Sequence, residues 1–336
     1  MSSAIRLLLA VLLVAGVSGC SGDDTPKSPR ADSPTKAPSK VLTKGTCWDD
    51  ARLPDALGEA AFDDWAEKYA GGDSALSGSM RDDVAFSKSI DCSEPHSLEL
   101  HDVVSVQPAL TRQVTKYADL LDQKSALYRK ISEQVSERCL ARSPYGRAQR
   151  KAGGVDVQLS PWLNTDSGPH VAWDPFPADL WEKGQHRFVC TFEQDKPGTL
   201  RFADLTTREV PVTSRACLNT PRKDRPCSGK HQAEVIAGMT LNAAIAKGQI
   251  SGRKAIRTGA DGKYVALSEA QYAKLDKVCQ TLFTMVSTVR GGVVGRAYPG
   301  TASQWPTKTG DYVASCFALK PYEPPPMISG TVFNRR

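Results

Sequence analysis

Cys92-Ser93-Glu94-Pro95-His96-Ser97-Leu98-Glu99-Leu100 and Cys227-Ser228-Gly229-Lys230-His231-Gln232-Ala233-Glu234-Val235 are two instances of one pattern, Cys-Ser-x-x-His-x-x-Glu-apolar. Each runs on into an apolar stretch that reads as a strand. Working outward, the landmarks on either side recur in the same order. One cysteine stands upstream of each, Cys47 and Cys217. A helical pattern with a cysteine near its end follows each, at Cys139 and Cys279. Then come a Trp and a Gly (Trp181 and Gly184, Trp305 and Gly310), a fourth cysteine (Cys190, Cys316) and a Gly-Thr-apolar segment (Gly198-Thr199-Leu200, Gly330-Thr331-Val332). An ordered set of this kind is the mark of an internal repeat. It places one unit at 45–205 and a second at 206–336.

The helices can be argued independently. Ser268-Glu269-Ala270-Gln271 is a capping box, in which the Ser and Gln side chains satisfy orphan amides at a helix start. Tyr272, Leu275, Cys279, Leu282 and Val286 then recur at spacings of three and four, one apolar stripe. Leu127, Ile131, Val135 and Cys139 repeat this in the first unit, so each helical cysteine lies on a buried face. Strands are expected at 187–193 and 312–319, where Phe188, Cys190 and Phe192 share a face by the period of two. Eight cysteines allow 105 pairings. Packing each helix on its sheet favours Cys139 with Cys190 and Cys279 with Cys316. Cys47 with Cys92 and Cys217 with Cys227 then remain. The expected fold is α+β: two related units, each a small antiparallel sheet packed by helices and braced by two disulfides. Between Cys47 and Cys92 a further helix is expected over 54–69, with Leu57, Ala61, Trp65 and Tyr69 on one face and Gly71-Gly72 ending it.

The amino end has its own logic. Arg6 precedes an apolar run, Leu7 to Val17, too short for a hydrocarbon core that needs roughly twenty apolar residues. It fits a secretory signal peptide at 1–19. Val17-Ser18-Gly19-Cys20 resembles a bacterial lipobox, which implies a Cys20 carrying acyl chains such as palmitate. Two such chains suffice for stable attachment. Residues 20–44 then read as the lipidated cysteine and a tether rich in Ser, Pro, Lys and Asp that cannot bury enough apolar surface to order itself. The expected location is the outer face of the cytoplasmic membrane. Nine cysteines, one for the lipid and eight for bridges, suit an oxidising compartment. The net charge of +6 is mild and spread out, and no nucleic-acid motif accompanies it.

Gly45-Thr46-Cys47-Trp48-Asp49 followed by Cys92-Ser93-Glu94-Pro95-His96-x-x-Glu99 resembles the septum-formation domain family of envelope proteins in high-GC Gram-positive bacteria. The likeness covers Gly45 to about Thr199 and is looser in the second unit, where Lys230 replaces the Pro and Ala216 the early Gly. It implies a non-enzymatic role near cell division or the envelope, and no catalytic residue.

The chemistry-bearing residues agree with a non-catalytic reading. Cys, His and Glu lie close in sequence, but the cysteines are committed to bridges. His96 and Glu99, like His231 and Glu234, are three apart, which on a strand points them to opposite faces. The neighbour His101 has Ile236 as its counterpart. No metal site, cofactor or catalytic residue is therefore expected. Glu99 and Glu234 are expected to pair locally with a basic group, and both His to hydrogen-bond a turn. No nucleophile elbow is present, and His170 and His186 are expected in loops. Aromatic loops around Trp173 and Trp305 read either as core caps or as a binding surface. The function expected is a membrane-anchored interaction module of the cell envelope, linked to septum formation, that binds a protein or wall component. The alternatives are an envelope hydrolase or metal-dependent enzyme, and a solute-binding lipoprotein.

Overall fold

The computed structural model describes residues 42–336, apart from 50–51, 82–83, 163–169, 208, 220–222, 254, 260–261, 290, 303–304, 309, 322–324 and 335–336. The signal segment, Cys20 and most of the tether lie outside the described residues. Leu42–Arg336 packs as one unit. Its elements are β1 (Thr46–Trp48), α1 (Leu53–Leu57), α2 (Glu59–Ala70), α3 (Ser74–Met80), β2 (Ser89–Ile90), β3 (His96–Val104), α4 (Pro108–Thr111), α5 (Ala126–Leu140), α6 (Pro144–Ala152), β4 (Gln158–Ser160), β5 (His170–Pro175), α7 (Ala178–Glu182) and β6 (Phe188–Gly198). They continue with β7 (Cys217–Asn219), β8 (Lys223–Arg225), β9 (Lys230–His231), β10 (Ala233–Thr240), α8 (Asn242–Ala246), β11 (Ile256–Gly259), β12 (Gly262–Val265), α9 (Glu269–Val286), β13 (Val294–Pro299), β14 (Val313–Leu319) and β15 (Ile328–Ser329). The class is α+β with antiparallel sheets.

The first sheet runs β2-β1-β3-β6-β5, and the second runs β8-β7-β10-β14-β13. Taken in chain order the strands of both sheets lie side by side as second, first, third, fifth, fourth. The ladders share one slip, although β3–β6 has a second, between His96 and Leu98, that β10–β14 lacks. Register shifts between Leu100 and Asp102 on β3, and between Val235 and Ala237 on β10. In each case Cys190 or Cys316 lies opposite the residue after the slip.

The cysteines of the described chain are bridged in consecutive couples: Cys47–Cys92, Cys139–Cys190, Cys217–Cys227 and Cys279–Cys316. The helices start as their sequence requires. Ser125 caps α5 by accepting from Tyr128 N, and Ser268 and Gln271 close their capping box at α9. α9 lies so close to β13 that a Cβ at Gly295 would stand 2.4 Å from Cys279 O.

The bridges stay within each stretch of sequence, but the apolar packing does not. α6 and β4 belong by sequence to the first stretch. Yet Tyr145, Ala148, Ala152, Val155, Val157 and Leu159 sit in one core with Ile236, Val278, Leu282 and Trp305. β4 also pairs with Gly238–Thr240 of β10. Residues 144–160 thus form a strap across the second sheet. Each fully buried Val or Leu there contributes about 1.5–3 kcal/mol.

Three local expectations need correction. The 54–69 helix is broken in two by Gly58 at φ +83°. The face is also rotated: Phe62, Ala66, Tyr69 and Ala70 are buried, while Leu57 is exposed. Phe62 and Tyr69 supply more apolar area than Leu57 and Ala61, so they take the core. Trp173-Asp174-Pro175 is not a loop but part of β5, and His170 opens that strand. Pro175 is tolerated because β5 is an edge strand. Thr199-Leu200 and Thr331-Val332 lie outside strands, since β6 ends at Gly198 and β15 at Ser329.

Candidate functional site

The two Cys-His-Glu segments build related but unequal clusters. His96 and His231 are both fully buried. Nδ1 of each donates to a turn carbonyl, Glu94 O at 2.9 Å and Gly229 O at 3.2 Å. The turn hydrogen bond therefore leaves each Nε2 as a bare lone pair, and neither has a partner. Burial holds the His231 imidazole below its ordinary pKa, against the Gly229 hydrogen bond that raises it.

Glu99 accepts from Arg201 Nη2 at 2.8 Å and from Phe202 N at 2.7 Å. Glu234 accepts from Thr331 Oγ1 at 2.7 Å and Val332 N at 2.6 Å, with Arg215 Nε at 4.0 Å. Both carboxylates thus meet an arginine and a backbone amide just past the Gly-Thr segment, and the partners are distant in sequence rather than local: Arg201 lies 102 residues beyond Glu99. Burial pushes the Glu234 carboxyl up and the Arg215 guanidinium down. Arg215 also stacks on Phe333 at 3.7 Å.

The opposite-face expectation fails in the second cluster. Donor atoms of Cys217, His231 and Glu234 all lie within 4.8 Å of one another. The physical reason is a break in the strand. His231 belongs to β9, which pairs with β15, while β10 starts only at Ala233. The alternation is interrupted at Gln232, and His231 and Glu234 converge. On β3 the strand is continuous from His96. Among the described residues no other set of three such donors gathers.

A cleft of about 1020 Å³ opens between the sheets. One wall is β5, from His170 to Trp173, with Trp162 beside it. The opposite side carries Val235, Phe317, Val313 and Tyr298. Both cysteines of the Cys217–Cys227 bridge reach it. β5 and β13 are the terminal strands of their sheets, and among the described residues no strand pairs with the outer edge of β5. Trp162 and Tyr298 are 45% and 40% exposed. Gly238 makes room for the Trp162 ring, which an added Cβ would meet at 3.3 Å. Trp173 is half-buried between Tyr128 and Phe188. Trp305 is 2% exposed and packs edge-on against Tyr312, so it belongs to the core rather than to a surface.

Beside the cleft, β5 and β6 hold an acid cluster. His170 Nε2 meets Glu193 Oε2 at 3.2 Å, and Thr191 Oγ1 donates to Glu193 Oε1 at 3.1 Å. Burial, and then the charge of Glu193, push Asp174 up to about 7. The His170–Glu193 pairing was invisible in the sequence because only β-sheet register sets the two residues opposite each other. On β3, burial drives the His101 imidazole down to about 4, and its ring lies flat on Phe202 at 3.7 Å.

No helix among the described residues is long and apolar enough to cross a membrane. Comparison with family models, with curated proteins and with solved structures returns no match. By structure the chain is a disulfide-braced α+β protein with a cleft between two antiparallel sheets.

Proposed function

We propose that this chain is a lipid-anchored, non-catalytic interaction module of the cell envelope, built by duplication of a unit resembling the septum-formation domain. Its cleft takes an extended segment of an envelope protein alongside β5. The observation that carries this reading is that β5, whose outer edge no strand pairs with among the described residues, lines one cleft together with Val235, Phe317 and Tyr298. A terminal strand offers a row of backbone donors and acceptors, and strand addition uses them while neighbouring pockets read alternate side chains. Four disulfides are consistent with an extracytoplasmic location. The matching strand order and the shared ladder slip support duplication. The lipobox-like Cys20 supports anchoring, and the Cys47 and Cys92–Glu99 motifs support a role near septum formation.

The test is photo-crosslinking of the full chain in envelope preparations, with the probe placed at Trp162 or Tyr298. A Trp162→Ala/Tyr298→Ala variant should lower affinity for the captured protein by about tenfold or more, the scale of buried aromatic anchors. Its thermal midpoint should stay near that of the parent. Unchanged capture, or crosslinks that map away from β5, would sink the reading.

A further inference from the structure

We propose that opening the Cys217–Cys227 disulfide creates a zinc site, in which the two freed sulfurs, His231 Nε2 and Glu234 hold the ion. Cys217, His231 and Glu234 each already bring one ligand atom to within 4.8 Å of the others, and Nε2 is the imidazole nitrogen that the Gly229 bond leaves open. The fourth, Cys227 Sγ, is one bond from Cys217 Sγ. Together they offer two thiolates, an imidazole and a carboxylate, the mixture of sulfur, nitrogen and oxygen that tetrahedral zinc accepts.

The imidazole is prepared for this role. It is fully buried, and its Nε2 lone pair meets no partner. Its Nδ1–H is held by Gly229 O. That is the outer-shell hydrogen bond that fixes the tautomer and ring direction of a metal-ligating histidine. A buried nitrogen without a partner is costly in a protein interior, and a bound ion would satisfy it. Glu234 uses one hydrogen bond on each oxygen, and a carboxylate has further lone pairs to offer.

Charge balance points the same way. Two thiolates and the Glu234 carboxylate against Zn(II) and Arg215 sum to zero. The arginine sits 4.0 Å from Glu234, buried with it. A neutral ensemble is what a buried site needs. The first cluster lacks this arrangement: Arg201 bonds directly to Glu99, and Cys47, His96 and Glu99 do not gather.

The redox step balances with a dithiol reductant. The dithiol attacks the Cys217–Cys227 bond and leaves as its own disulfide, having delivered two electrons and two protons to the protein sulfurs. Zinc then displaces the two thiol protons. Both cysteines stand in the wall of the cleft, buried just behind its surface.

The decisive variant needs no reductant. Cys227→Ser in the full chain leaves the other three bridges closed and Cys217 free beside His231 and Glu234. Titrated with Co(II), it should show sulfur-to-cobalt charge transfer and the strong visible bands of tetrahedral cobalt, at one ion per chain. Zn(II) should displace the cobalt and protect Cys217 from alkylation. Adding His231→Gln should weaken binding by more than the roughly 10–100-fold lost when an outer-shell partner is removed. Adding His96→Gln instead should change nothing. The parent chain treated with a dithiol in the presence of Zn(II) should show Cys217 and Cys227 protected together. Absence of the charge-transfer band in Cys227→Ser, or equal affinity with and without His231, overturns the proposal.

Discussion

The Cys92–Leu100 and Cys227–Val235 segments share a pattern and a strand order, but one residue's conformation separates their chemistry. His96 belongs to β3 itself, although its ladder to β6 slips between His96 and Leu98; His231 is set apart from β10 at Gln232 and gathers with Cys217 and Glu234. The acids diverge as well. Glu99 is buried, but its partner Arg201 has a side chain one-third exposed. Glu234 and Arg215 are almost wholly enclosed. The comparison teaches that a repeated motif transmits backbone pairing faithfully and side-chain convergence poorly. Pairing depends on register, whereas convergence depends on a single bend.

The contrast can be broken or sharpened by substitution. The largest effect is expected at the bridges. Replacing Cys47 and Cys92 by Ala should cost about 4 kcal/mol on the chain-entropy estimate, and replacing Cys217 and Cys227 nearer 3. The spacings of 45 and 10 residues set the difference. Denaturant unfolding of the two double variants should rank them in that order.

Next come the acids. Glu234→Gln leaves the buried Arg215 charge without its carboxylate and should cost about 3 kcal/mol, the lower end for broken buried pairs, since Arg215 keeps its bond to Thr207 O. Glu99→Gln, beside a partly exposed arginine, should cost roughly 1–2 kcal/mol. Equal losses by thermal melting would erase the distinction between the clusters.

Smaller, and opposite in sign, is Asp174→Asn. The folded Asp174 sits near 7, above its ordinary 3.8, so the folded state holds the proton more tightly. Its stabilising contribution is complete below pH 4 and is lost as pH rises toward 7. The variant should therefore gain roughly 2 kcal/mol at pH 8 and little at pH 4.

The smallest is His101→Ile, which carries the second sheet's Ile236 into the first. With a folded pKa of about 4 against an ordinary 6.5, His101 costs stability as pH falls from 6.5 toward 4. The variant should lose about 1–2 kcal/mol less than the parent on going from pH 7 to pH 5. An unchanged slope in that window would show that His101 takes no part in acid sensitivity.

Much of this was legible along the chain. The helix stripes ending at Cys139 and Cys279 and the strands at Cys190 and Cys316 dictate that each helix faces its sheet, so the bridges follow. The Ser268–Gln271 box marks a helix start whatever surrounds it. The strap was not legible, because Tyr145, Ala148 and Ala152 show an apolar face without saying which sheet it covers. The edge strand was hidden by Pro175 and Pro177, which argue for a loop until the strand's terminal position is known. The convergence of Cys217, His231 and Glu234 depended on a bend at Gln232, a residue with no turn signature. The cleft arises from the mutual placement of β5 and β14, which no local pattern encodes.

The order of the bridges carries one more consequence. If such a chain were threaded through an export channel amino end first, each of the four bridges would close as soon as its second cysteine emerged, before the next pair appeared. Oxidation can then proceed by nearest arrival, without the reshuffling that interleaved connectivities demand. Only the strap must wait: its apolar face is translated long before α9, and would stay wet until the last third of the polypeptide has been delivered.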